Sequence, residues 1–174
     1  TWELLAKAVD AERRGGDGYG TPEANNAQRV FVNEAIARDP ELCEAWARLA
    51  RCHFRDFLLG WTEDGKESLE KSLEASARAV KIDPGSSVAQ ACRAQCLLFG
   101  NHDPQGGFEH AREAVRLNPS NVMGQYMMGC TLVYCGEPDS AYDHYETVLR
   151  LNPAFPNKGA LFCDQMMCRA LGGN

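Results

Sequence analysis

Apolar residues recur at three- and four-residue steps over most of the chain, the interval that lays side chains on one face of an α-helix. Trp2, Leu5, Ala6 and Val9 follow this rule, and Trp46, Leu49, Ala50 and His53 repeat it 44 residues later. The same periodicity, read with cap and breaker signals, predicts helices near 2–14, 22–38, 41–58, 66–82, 87–99, 104–117, 121–135, 138–151 and 156–171. The glycine-rich stretch from Gly15 to Gly20 reads as a loop, and Thr21-Pro22-Glu23 restarts a helix with a capping signature. Trp61-Thr62-Glu63-Asp64-Gly65 reads as a second loop.

The helices fall into a repeat. Asp39-Pro40, Asp83-Pro84, Asn118-Pro119 and Asn152-Pro153 recur with proline spacings of 44, 35 and 34 residues. Similar helical endings precede them, among them Ala35-Ile36-Ala37-Arg38 and Ala114-Val115-Arg116-Leu117. Ten residues beyond each proline stands a small residue, Ala50, Ala94, Gly129 and Cys163 in turn. A small residue at such a register lets a paired helix approach closely. The Asp/Asn-Pro steps are expected to stop one helix and to cap the next, with proline at its first position. Each repeat is then a pair of antiparallel helices. One pair cannot bury its apolar faces alone, so pairs stack into a superhelix. The predicted units are 2–39, 40–83, 84–118 and 119–152, closed by a capping helix over 156–171, with the whole of 1–174 forming one domain. The extra length of the 44-residue units is expected to lengthen helices and loops on one side of the stack.

Composition narrows the classes of function. The 174 residues are 44% hydrophobic and 24% charged, as in ordinary globular chains. The net charge of −6 argues against general nucleic-acid binding, which needs a basic face. No apolar run approaches the ~18 residues that span a bilayer, and Trp2-Glu3-Leu4-Leu5 is not a secretory leader, so no membrane partner is expected. Opening on Thr1 rather than Met points to a piece of a longer protein. Eight cysteines lie inside helical patterns, and the only Asn-x-Ser step has proline at its centre, so reduced structural thiols in a cytoplasmic protein are expected. The alternative is a redox or metal sensor built on Cys92/Cys96 or Cys163/Cys168.

Catalytic motifs fail on content. Gly16-x-Gly18-x-Gly20 has neither a preceding strand nor a Gly-Lys-Ser/Thr sequel. His110-x2-Glu113 lacks the second histidine of a zincin, and no nucleophile-base set assembles, so neither catalysis nor a cofactor is expected. The better candidate is the face lined by the first helix of each pair. There the second repeat presents Arg48, Arg51 and Arg55, the third Gln95 and Phe99, and the fourth Tyr126, Cys130 and Tyr134. Cationic charge at one end and aromatic, sulfur-rich surface beyond it fit a peptide with an acidic patch and apolar anchors. The competing reading pairs the arginines with Glu44 or Asp56 on a solvated face.

The 34-residue period and the Trp-x2-Leu-Ala…Ala…Pro pattern resemble the tetratricopeptide repeat (TPR) over nearly the whole chain. The resemblance implies an all-α right-handed superhelix of four helix pairs plus the capping helix, acting as a non-catalytic protein-interaction module. Thr21-Pro22-Glu23-Ala24-Asn25, Ala35 to Pro40 and Leu58 to Asp64 are similar, more narrowly, to TPR regions of certain bacterial proteins. In those the region follows a class III adenylate cyclase or winged-helix regulator domain. That likeness implies a regulatory or scaffolding arm of a signalling protein, or a module that dimerises its parent. The carboxylate clamp of chaperone-binding members is absent, since the matching positions hold Ala47, Arg51, Ala91 and Gln95.

Overall fold

The computed structural model describes residues 1–14, 20–155, 161, 164–166 and 170. Among these the regular structure is entirely helical: α1 (Trp2–Arg14), α2 (Pro22–Arg38), α3 (Cys43–Leu58), α4 (Gly65–Ile82), α5 (Ser87–Gln95), α6 (Pro104–Leu117), α7 (Val122–Tyr134) and α8 (Pro138–Leu151). Four of the predicted helices, α1, α2, α6 and α8, match at both ends. The glycine motif at 16–20, apart from Gly20, and most of the predicted capping helix lie outside the described residues.

The Asp/Asn-Pro steps stop helices as expected but do not start them. Asp39, Asp83, Asn118 and Asn152 are the C-terminal caps of α2, α4, α6 and α8, each with an extended backbone outside the α region. Their side chains accept the N–H two residues on, from Glu41, Gly85, Ser120 and Ala154, at 2.9–3.1 Å. This Asx-turn uses the oxygen that would otherwise cap a helix. The next helix therefore begins three residues after proline, at Cys43, Ser87 and Val122. The expected cap with proline at the first helical position occurs instead at Thr21-Pro22 and Asp103-Pro104, whose side chains accept from Ala24 and Gly106. Those steps turn the chain within a pair.

The longer units gain their length in helix: α3 and α4 have 16 and 18 residues against 13 and 14 in α7 and α8. The 35-residue unit absorbs its one extra residue differently. Pro84 to Pro104 is 20 residues, against 19 from Pro119 to Pro138. Where α7 simply ends, α5 runs into a π-helical turn over Cys96–Gly100, the usual answer to a one-residue insertion in a helix.

A side-chain latch recurs inside the pairs. Gln90 and Gln125, each six residues past proline, donate Nε2 to the carbonyls of Pro84 and Pro119 at 2.8 and 2.7 Å. Their Oε1 atoms meet His110 and His144 Nδ1 at 2.6 Å, which assigns the ring proton to Nδ1. In the second repeat Trp46 Nε1 takes the same role toward Pro40, at 2.9 Å. Apolar packing then runs continuously along the stack, from Leu4, Leu5, Ala8 and Val32 through Phe54, Ala75 and Cys92 to Met127, Tyr145 and Val148.

Candidate functional site

The eight residues read from sequence as one groove separate into two places. Arg48, Arg51 and Arg55, at helical spacing on α3, converge on Glu12 of α1. Arg48 reaches Glu12 at 3.2 Å and Glu44 at 2.8 Å, and Arg51 reaches Glu12 at 2.9 Å. Arg55 is 9% exposed and also donates to Gln28 Oε1 at 3.1 Å. Burial pushes the Glu12 carboxyl up, but Arg51, Arg55 and Arg48 together outweigh it and hold it at about 2. Asp56 is occupied from another side: Arg29 pairs with it and Asn25 Nδ2 donates to it at 2.8 Å. The expected cationic end of the groove is therefore an internal ionic joint between the first two repeats. Glu12 lies a whole repeat from α3 in sequence, so local spacing pointed to Glu44 and Asp56 and missed it.

The other five residues do come together. Gln95, Phe99, Tyr126, Cys130 and Tyr134 line a cavity of about 230 Å³ between α3, α5 and α7. Phe54 and Leu58 of α3, Val133 of α7, Tyr145 of α8 and Asp164 complete it. The mouth is apolar and open, with Leu58 41% and Tyr134 63% exposed. Phe99 and Tyr134 meet edge to face at 6.4 Å, while Tyr126 packs on Phe155 and Tyr145 with centroids 5.3 and 6.1 Å apart.

Tyr145 enters this cavity because Gly129 leaves room for it: a Cβ at Gly129 would stand 2.4 Å from the tyrosine ring. The repeat's small position thus has a specific task here. Tyr145 is fully buried, and its hydroxyl has no nitrogen or oxygen hydrogen-bond partner among the described residues; the Cys130 thiol, Asp164 and Tyr126 are its polar neighbours. Burial pushes this phenol up, so it stays neutral. Burial also raises the Asp164 carboxyl, against a weak bond from Tyr126 Oη at 3.5 Å. Neither Tyr145 nor Asp164 was visible as a site residue from sequence, since Tyr145 reads as a core aromatic and Asp164 belongs to the closing segment.

Solved structures carry the same architecture. A thermophilic TPR protein of Thermus thermophilus, TTC0263, superposes with a TM-score of 0.66 at 16% identity, over 97% of this chain and 98% of its own. MamA gives 0.61 at 14% identity, over 99% and 82%. YrrB, described as a TPR protein with an unusual peptide-binding site, gives 0.59 at 16% identity, over 99% and 74%. The fold is that of a TPR solenoid. No protein-family model and no curated protein sequence matches the chain.

Within this TPR fold the described cysteines are free, and Cys163 and Cys168 lie outside the described residues. Burial pushes the Cys52 and Cys130 thiols up to about 12, far from reactive thiolate. Cys96 is drawn down by hydrogen bonds from Cys92 and Ser72, yet it is fully buried, with Ser72 Oγ 3.1 Å from its sulfur. Among the described residues no group of three or more His, Cys, Asp or Glu is placed to hold a metal ion. No described helix is long and apolar enough to cross a membrane.

Proposed function

We propose that this chain is a non-catalytic protein-interaction module that holds a segment of a partner protein against α3, α5 and α7. The observation that carries the reading is the aromatic cavity, which opens to solvent between two exposed apolar side chains, Leu58 and Tyr134. Large exposed hydrophobics at the mouth of a concave site mark a place where a partner side chain is anchored. Aromatic anchoring pockets of this kind concentrate binding energy in few contacts. Similarity to TPR regions that follow cyclase or regulator domains supports a regulatory or scaffolding role within a larger bacterial signalling protein of the cytoplasm.

The test is peptide selection. Peptides chosen from a random display library against the wild-type chain are measured against Leu58→Ser/Tyr134→Ala, whose changes lie at exposed positions and leave the core intact. Loss of binding by at least about tenfold, or about 1.4 kcal/mol, supports the assignment. Undiminished binding by the folded double variant removes it.

A further inference from the structure

The chemistry of the cavity points beyond a generic apolar anchor. Among the described residues its walls carry five aromatic rings, from Phe54, Phe99, Tyr126, Tyr134 and Tyr145, and one carboxylate, Asp164. No Lys, Arg or His is among the described residues that line it. The polar groups among its described lining are acceptors or neutral: the Asp164 carboxylate, the Gln95 amide, the Tyr126, Tyr134 and Tyr145 hydroxyls and the Cys130 thiol. Aromatic faces are negative and attract a cation placed over them, more strongly where water is excluded. Asp164 forms no ion pair with any described Lys or Arg, and the nearby basic side chains of α3 are turned to Glu12. A half-buried carboxylate with no described cationic partner, set among aromatic walls, is complementary to one kind of guest.

We infer that the cavity receives the cationic side chain of a lysine or arginine in the partner segment, with its head group among the aromatic rings and hydrogen-bonded to Asp164. The inference rests on the groove reading above and specifies its ligand. It also reverses the charge expected from the sequence, where three arginines pointed to an acidic partner. The stem of either side chain would lie along Leu58, Val133 and Phe99, as long cationic side chains do on apolar surface. A guanidinium has the added ability to stack flat on a ring and to bind a carboxylate with two N–H groups.

Three small probes test this by two-dimensional NMR on the full chain: the Nα-acetyl N-methylamides of lysine, arginine and norleucine. Norleucine has the apolar stem without the charge. The expected result is that both cationic probes shift the amides of Phe99, Val133 and Tyr134 and bind about tenfold or more tighter than norleucine. Asp164→Asn should erase that preference. Leu58→Lys, at an exposed rim position, should weaken the cationic probes more than norleucine, which loses only an apolar rim contact, so the result does not depend on one buried substitution. Norleucine binding at the same amides as tightly as lysine and arginine would overturn the cationic inference while leaving the apolar groove in place. Cationic shifts that map elsewhere, or a preference that survives Asp164→Asn, would overturn it as well. If no probe moves the cavity amides, the inference fails, and the peptide-selection experiment decides the groove separately.

Discussion

Removing Glu12 should loosen the joint between the first two repeats by a calculable amount. The carboxyl is held at about 2 against an ordinary value of 4.5. At about 1.4 kcal/mol per unit, that difference is worth roughly 3 kcal/mol of folding stability. The side chain is 23% exposed, and its three guanidinium partners are 11–29% exposed, so solvent screens the cluster only partly. Glu12→Gln also leaves Arg55 buried without a counter-charge, a change of about 3–5 kcal/mol in comparable buried pairs. The sign follows from the depressed value. The stabilisation is fully present above pH 4.5 and is lost as pH falls from there toward 2. Urea unfolding followed by circular dichroism, for wild type and Glu12→Gln, should show a gap of roughly 3 kcal/mol at pH 7 that closes on acidification. Hydrogen exchange should place the loss in α1 and α2, because a solenoid's stability is a sum of repeat and neighbour-interface contributions. A gap below about 0.5 kcal/mol at pH 7, the size of a solvated surface pair, would refute the reasoning. So would a gap that does not change with pH.

Other substitutions probe other layers. Gly129→Ala should destabilise by about 1–3 kcal/mol, read as a lower melting temperature, because its Cβ would stand 2.4 Å from the Tyr145 ring. Tyr145→Phe should change stability by less than about 1 kcal/mol, since the hydroxyl it removes has no nitrogen or oxygen partner among the described residues. Asn121→Ala should cost about 1 kcal/mol by urea unfolding, because Asn121 caps α7 through Gly124 N–H at 3.0 Å and also donates to Ser87 Oγ at 2.7 Å. Alkylation of the native chain, mapped by peptide mass spectrometry, should modify the exposed Cys135 readily and spare Cys52, Cys92, Cys96 and Cys130 until the chain is unfolded.

Much of this solenoid was legible in the residues. Helix boundaries at 2–14, 22–38, 104–117 and 138–151 follow from periodicity, caps and prolines, because those signals act within a few residues of chain. The spacing of Gly129 and its counterparts marked close helix approach for the same reason. The four Asp/Asn-Pro steps show where local rules compete. An N-cap and an Asx-turn draw on the same side-chain oxygen, and the bond to the residue two ahead is the one that forms.

The sequence by itself determined an all-helical chain of paired helices, where each pair turns, and which of its faces are apolar. It also placed Gln95, Phe99, Tyr126, Cys130 and Tyr134 on faces that share one cavity. Only the tertiary structure decided what meets across repeats. Glu12 is 36 residues or more from each arginine it binds. Asp164 joins Tyr126 from 38 residues away. Helical periodicity fixes the face on which a residue stands, but the stacking of one pair on the next fixes which charge it meets. That is why the three arginines read as a ligand site from sequence and are a joint in the fold. It is also why the Asp164 carboxylate joins the cavity only when the stack brings it against α7.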